Sequence, residues 1–170
     1  MKIKPPILNS ERLILRPFKL SDVKDLLEIK SKRIKNIKEA KQWIKKSIDE
    51  NGFYLAVVLK EENKVIGYRE LCHLNWWDFK AGEICAHFNK NYWNKGYSTE
   101  SGKILINYCF KKLKFHKVYA DTDPNNLASQ RVLEKLGFKL EGRIRDRRIV
   151  KGQWIDEMDY GLLKSEWRGK

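Results

Sequence analysis

The segment Trp93-Asn94-Lys95-Gly96-Tyr97-Ser98-Thr99-Glu100 lies where a strand pattern passes into a helix pattern. A strand-to-helix turn aims several backbone N–H groups at one point, and the helix dipole adds partial positive charge there. That combination binds anions, phosphates above all, and Gly96 lets the backbone approach one closely. Taken in isolation, the segment reads equally as an ordinary glycine turn. Two upstream side chains could move protons: Glu83 and, four residues along and on the same strand face, His87. A third, Ser129, falls in the first turn of a later helix, where serine is also a common cap.

Several chemistries are excluded. Five residues, instead of four, separate Gly96 from Gly102-Lys103, and Ile104 stands where a P-loop needs Ser or Thr for magnesium. No GxGxxG occurs. Cys72, Cys85 and Cys109 form no CxxC pair, and an odd, widely spaced set argues against a disulfide framework and a zinc site. The expectation is three free thiols and no metal.

The elements that must position these groups are legible from periodicity. Glu11–Phe18 reads as a strand ended by Pro17, and Ser21-Asp22 opens a helix carrying Val23, Leu26, Leu27 and Lys30. The pattern predicts a second helix over Lys38–Glu50 and then a hairpin of Phe53–Leu59 with Val65–Leu74. Trp76-Trp77-Asp78 begins a connection to a strand at Gly82–Phe88. A largely buried helix follows Gly96. Val118–Ala120 is a short strand, and Pro124-Asn125-Asn126 caps a helix running to Leu136 and stopped by Gly137. Phe138–Ile149 and Trp154–Leu163 close as an antiparallel pair. The order, β-α-α-β-β-β-α-β-α-β-β, is that of a mixed α+β sheet in one domain over residues 1–170.

Taken together, several stretches resemble the GNAT acetyltransferase superfamily, in particular its RimJ/RimL-like branch. Ser10-Glu11-Arg12-Leu13-Ile14-Leu15-Arg16-Pro17 resembles its opening strand, and Ile66-Gly67 its third. Tyr92–Glu100 is similar to its pyrophosphate loop, and Asn126–Phe138 to its N-x-A-S … L-G-F signature. Glu141–Arg145 and Gly152–Asp156 match the closing strands. The resemblance implies a mixed, mostly antiparallel twisted sheet flanked by about four helices. Its central parallel strands, here Gly82–Phe88 and Lys117–Asp121, splay to hold acetyl-CoA. It further implies that strand amides, those of Ala86 and Phe88, take the pantetheine and acetyl carbonyl. The amides of Asn94, Lys95, Gly96, Tyr97, Ser98 and Thr99 would take the pyrophosphate, and Asn126 and Ser129 would reach the cofactor. Two positions depart from the branch: Asn94 stands where it usually has Gly, and Ser98 where it has Gly or Ala. Asn tolerates a left-handed backbone, and Ser adds one small hydroxyl. The stretch Ser31–Ile37, which borders the acceptor pocket in the family, is short and free of proline.

Acyl transfer to an amine needs a neutral nucleophile, a polarised carbonyl and a protonated leaving thiolate. Glu83, beside the expected acetyl group, is the candidate base, directly or through water; an ion-paired structural Glu is the alternative. His87 is the weaker candidate, and His73 and His116 have less support. Many GNAT enzymes carry a Tyr as thiolate acid where this chain has Leu133, which leaves Ser129 as the substitute. The expected activity is acetylation of a primary amine, first a protein or peptide N-terminal α-amine of the ribosomal-protein type, second a small amine such as an amino acid, polyamine or drug.

Composition bears on partners. Thirty-six Lys and Arg against 22 Asp and Glu give a net charge of +14, crowded into Lys30–Lys46 and into Arg143, Arg145, Arg147, Arg148 and Lys151. This raises a rival reading, a non-catalytic ribosome- or RNA-binding module. Against direct nucleic-acid binding, the basic residues lack the interleaved aromatics of an RNA platform. The longest apolar run, Phe53–Leu59, is too short to cross a bilayer, and no apolar signal core follows Lys2, so a cytoplasmic protein, monomer or homodimer, is expected.

Overall fold

A single twisted sheet organises the chain in the computed structural model, which describes residues 4–29, 34–49, 52–75 and 80–169. Its strands are β1 (Leu8–Asn9), β2 (Leu13–Pro17), β3 (Ile48–Asp49), β4 (Gly52–Leu59), β5 (Lys64–Asn75), β6 (Ala81–Phe88), β7 (Lys117–Thr122), β8 (Lys139–Val150) and β9 (Gln153–Leu163). The spatial order is β1-β2-β4-β5-β6-β7-β9-β8, with β3 paired to β4. Neighbours run antiparallel except β6 and β7, which are parallel. Four α-helices flank it: α1 (Val23–Glu28), α2 (Ile37–Lys45), α3 (Tyr97–Lys111) and α4 (Leu127–Lys135).

Alternation along the strands sorts the core into two layers. Leu13, Leu15, Leu55, Val57, Ile66, Leu71, Ile84 and Val118 pack with Leu105, Ile106, Cys109 and Phe110 of α3 and Leu133 of α4. On the opposite face Ala56, Val58, Val65 and Tyr68 meet Val23 and Leu26 of α1 and Ala40 and Ile44 of α2. Each fully buried Leu or Phe contributes about 1.5–3 kcal/mol, so both layers are strongly fixed.

The expected order of elements is present, with two differences. β1 and β3, two residues each, were not expected. The second helix was expected to run to Glu50 but ends at Lys45. The Lys46 N–H bonds back to Gln42 O and Trp43 O, the Ser47 hydroxyl donates to Ile44 O at 2.7 Å, and Ile48–Asp49 then pairs with Gly52–Phe53. Sheet pairing thus outcompetes a last helical turn. At its start α2 is capped reciprocally: the Asn36 side chain accepts from Glu39 N–H at 2.9 Å and the Glu39 carboxylate takes Lys35 N–H at 2.7 Å. Lys30, the first three residues of Ser31–Ile37, and Trp76-Trp77-Asp78 lie outside the described residues. Among the described residues no helix is long and apolar enough to cross a membrane.

Candidate active site

The parallel pair separates where the chemistry is expected. β6 and β7 are in register only from Ala81↔Lys117 to Glu83↔Tyr119, yet β6 continues to Phe88 and β7 to Thr122. Beyond Glu83 the strands fork. Asn89 N–H donates to Ile66 O on β5, so by two-residue alternation the main-chain groups of Phe88 and Ala86 turn away from β5, toward the fork. The Trp93 indole donates to Phe88 O at 3.0 Å, as that direction requires.

At the wide end of the fork sits the loop before α3. Asn94 has φ +61° and Gly96 φ +81°, so Asn94 occupies the left-handed conformation that a glycine would otherwise supply. The first intrahelical bond runs from Glu100 N–H to Gly96 O, which leaves the N–H groups of Tyr97, Ser98 and Thr99 ahead of the ladder. Two arginines that sequence reasoning did not single out hold this loop. Arg12, from β2, donates through Nε to Glu100 at 2.7 Å and through Nη1 to Lys95 O at 3.2 Å, and lies 4.6 Å over the Tyr97 ring. Glu100 also takes the Ser10 hydroxyl at 2.7 Å and Arg12 N–H at 3.0 Å; burial works against its charge, but these bonds hold its carboxyl below the usual range.

Arg69, from β5, is 3% exposed and lies beneath the same turn. It donates to Ser98 O, to Ser98 Oγ at 3.2 Å and, through Nε, to Ser101 Oγ at 3.0 Å. Burial pulls its guanidinium down to about 10, so it stays cationic at neutral pH. No carboxylate pairs with it among the described residues. A buried cation behind a helix N-terminus adds to the field that favours an anion there. Gly102 permits the arrangement: a Cβ there would stand 2.7 Å from Leu136 Cδ1 and 3.0 Å from Arg69 Nη2.

Glu83 stands at the crotch of the fork, 8% exposed, on the sheet face that carries α1 and α2. Its partner is His73, whose Nδ1 lies 2.5 Å from Glu83 Oε2. The Cys85 thiol donates to Glu83 Oε1 at 3.2 Å. His73 reaches Glu83 because β5 bulges between Cys72 and Asn75, where His73 takes φ +46°. The hydrogen bond to Glu83 raises the His73 pKa despite some desolvation. Cys85 is pushed up, first by its hydrogen bond with Cys72, then by burial and by Glu83, and so remains a thiol. Tyr119, opposite Glu83, donates to His73 O at 3.1 Å, and partial burial pushes its phenol up to about 12. His87 shares the face of Glu83 but stacks on Tyr68, ring centroids 4.8 Å apart. The histidine with less sequence support is thus the one beside Glu83, because a bulge, invisible in strand parity, redirects it.

Asp121, also missed, lies on the same face of β7. Although open to solvent, its carboxyl is pushed up to about 6, by desolvation first and then by the neighbouring charges of Glu83 and Glu157. Across the fork, four residues join β7 to α4. The Asn126 side-chain oxygen caps α4 by accepting Ser129 N–H at 3.2 Å. Among the described residues the Ser129 hydroxyl makes no hydrogen bond, and Leu133 is buried in the core.

Comparison with known proteins agrees with this geometry. A family model described as an acetyltransferase (GNAT) domain matches residues 12–139. The Bacillus subtilis protein YnaD, an uncharacterized N-acetyltransferase, is 32% identical over 170 residues, spanning 94% of this chain and 98% of YnaD. The Escherichia coli [ribosomal protein uS5]-alanine N-acetyltransferase is 26% identical over 117 residues, 69% of this chain and 60% of that enzyme. The crystal structure of a GNAT-family acetyltransferase from Bacillus anthracis superposes with a TM-score of 0.84 at 27% identity, covering 95% of this chain and all of that one. On these grounds the chain belongs to the GNAT acetyltransferases and is an N-acetyltransferase.

Proposed function

We propose that the chain moves the acetyl group of acetyl-CoA to the N-terminal α-amine of a protein or peptide, with Glu83 as base and Ser129 as the acid for the thiolate. The carrying observation is the buried Glu83 carboxylate at the crotch of the fork, oriented by His73 and Cys85. In this reading the Lys95–Thr99 turn holds the pyrophosphate and the main chain at Ala86 and Phe88 holds the pantetheine and the carbonyl. Asn126 borders the cofactor through the end of its side chain not used in capping. The amine approaches from the α1/α2 face. Its nitrogen lone pair attacks the acetyl carbon, the C–S bond breaks, the ammonium proton goes to Glu83 and the sulfur takes a proton from Ser129, which regains one from solvent as Glu83 releases its own. An α-amine is roughly 10% neutral near pH 7, a lysine below roughly 0.1%, so an α-amine asks less of the base. The named activity of the Escherichia coli relative, on a ribosomal-protein alanine, supports this acceptor class.

A small polycationic amine is the second reading. Asp121 and Glu157 stand near Glu83 on the acceptor face and would attract a second ammonium. Rates on a peptide with a free N-terminal alanine, the same peptide N-blocked with an internal lysine, and spermidine distinguish the two. The free N-terminus should be preferred, and preference for spermidine would replace the first reading with the second. Glu83→Gln should lower kcat/KM about 100-fold and leave acetyl-CoA affinity within a few-fold. An undiminished rate would remove Glu83 as base.

A further inference from the structure

The face that carries Glu83 gathers two thiols, an imidazole and two carboxylates from paired strands. Cys72 lies opposite Glu83 in the β5–β6 register, and Glu70 lies opposite Cys85. Cys72 Sγ, His73 Nδ1 and a Glu83 oxygen all lie within 4.8 Å of one another, as do a Glu70 oxygen, Cys72 Sγ and Cys85 Sγ. Cys72 Sγ is 3.9 Å from His73 Nδ1, and Cys85 Sγ is 3.2 Å from Glu83 Oε1.

We propose that Cys72, His73, Glu83 and Cys85 form a tetrahedral site for a soft divalent transition metal, zinc by the chemistry of its donors, and that the bound ion switches acetylation off. Zinc bonds of about 2.0–2.3 Å imply donor–donor edges of about 3.3–3.8 Å. The two sulfur contacts above are already near that length. To close the tetrahedron, His73 Nδ1 and Glu83 Oε2, 2.5 Å apart, must part by about 1 Å, and Cys85, which groups with Cys72 and touches Glu83 through Oε1, must turn in toward His73. Two sulfurs, one nitrogen and one oxygen select zinc over magnesium or calcium, which take oxygen alone. Glu70 is placed to hold a ligand or to replace one. Sequence spacing hid the set: Cys72 and Cys85 are thirteen positions apart, and antiparallel pairing with a bulge is what joins them. Entry is open, since the His73 side chain is 71% exposed and both cysteines are partly so.

On binding, the metal takes the sulfur, nitrogen and oxygen lone pairs, and the thiol and imidazole protons it displaces pass to solvent. It then occupies the oxygen and the imidazole through which the amine would lose its proton. This inhibitory half rests on the reading of Glu83 as base; the binding half does not.

The test uses metal-stripped full-length protein with a phosphine reductant throughout, so that a Cys72–Cys85 disulfide cannot mimic loss of the site. Titration with Co²⁺ should give one equivalent with intense tetrahedral d–d bands and a thiolate charge-transfer band, all displaced by Zn²⁺. Cys72→Ser should abolish the charge-transfer intensity or halve it, and weaken Zn²⁺ binding by about 100-fold. Cys109→Ala, in the α3 core, should change neither. During turnover, stoichiometric Zn²⁺ should stop acetylation and a chelator should restore it, while Cys72→Ser keeps its rate and ignores Zn²⁺. Pale octahedral Co²⁺, or the same spectrum in Cys72→Ser, would overturn the site. A thiolate spectrum with undiminished turnover under Zn²⁺ would overturn the switch. The spectrum needs no acceptor, so failure to acetylate the peptide would count against the acceptor assignment and leave the site standing.

Discussion

A thiolate leaving a thioester must be protonated or stabilised, and Leu133, buried in the core, can do neither. Ser129, one turn earlier on α4, offers a hydroxyl that no other group engages among the described residues, beside the positive end of the helix. Ser129→Ala should cost the fold only about 1 kcal/mol and leave acetyl-CoA affinity within a few-fold. Its single-turnover rate should fall roughly 100-fold. A wild-type single-turnover rate would assign the proton to water. The carboxylates make a second prediction. Because Asp121 is pushed up to about 6, it is protonated below that pH and charged above it. The carboxylate of Asp121 adds negative charge to the face where the amine is proposed to arrive, so kcat/KM should rise with pH through about 6 as Asp121 loses its proton. Asp121→Asn removes the titrating group, so this acid limb should disappear. An unmoved limb would uncouple Asp121 from the reaction.

At the scale of elements, the turn before α3 is fixed from behind by two strands, through Arg12 of β2 and Arg69 of β5. Gly96 is left-handed, and a Cβ there would lie 3.4 Å from Arg12 Nη2. Gly96→Val should therefore strain the turn and crowd its clamp, weakening acetyl-CoA at least tenfold, about 1.4 kcal/mol. Titration calorimetry on the folded variant checks it, and unchanged affinity would detach the turn from the cofactor. This turn and the helix after it were legible because their signals are local: a glycine, a cap position and a 3.6-residue apolar period. The body of α2, Lys38 to Lys45, was legible for the same reason. Its end was not, because Ile48–Asp49 leaves the helix to pair with β4, a contact that helical periodicity does not encode. Arg69 escaped notice too, since a charged residue inside a strand pattern gives no sign of lying under a helix contributed from 29 to 32 residues later. His73 was misjudged because parity fails across a bulge. Acidity at the fork, set by Asp121 and Glu157, comes from strands far apart in sequence.

For the whole molecule, the excess positive charge divides unevenly. On the β8–β9 hairpin, Arg143 pairs with Asp156 at 2.7 Å, and Arg147 and Arg148 approach Glu157 at 3.6 and 3.5 Å. Around α2, Lys35, Lys38, Lys41, Lys45 and Lys46 are exposed. That helix lies on the same face of the sheet as Glu83, from which we propose the amine arrives, so its field would draw a negatively charged macromolecule carrying that amine. Reversing Lys35 and Lys38 to Glu should slow association with such an acceptor and flatten its salt dependence, leaving acetyl-CoA affinity unchanged. Stopped-flow binding at two ionic strengths reads both; equal rates would make the lysines a solvated face. The fork has a consequence for integrity as well as for chemistry. Among the described residues, three residue pairs, Ala81–Glu83 with Lys117–Tyr119, and the His116 N–H bond to Lys80 O stitch the β1–β6 part of the sheet to the β7–β9 part. Past that short seam, the sheet is an unzipped fabric whose facing edges keep their backbone groups open. Acetyl-CoA lying between them would serve as the missing thread, and at 100 times its dissociation constant would add about 2.7 kcal/mol to the folded state. Each departure of product would then reopen the gap, while the core layer under α3, which packs on both parts, keeps them joined.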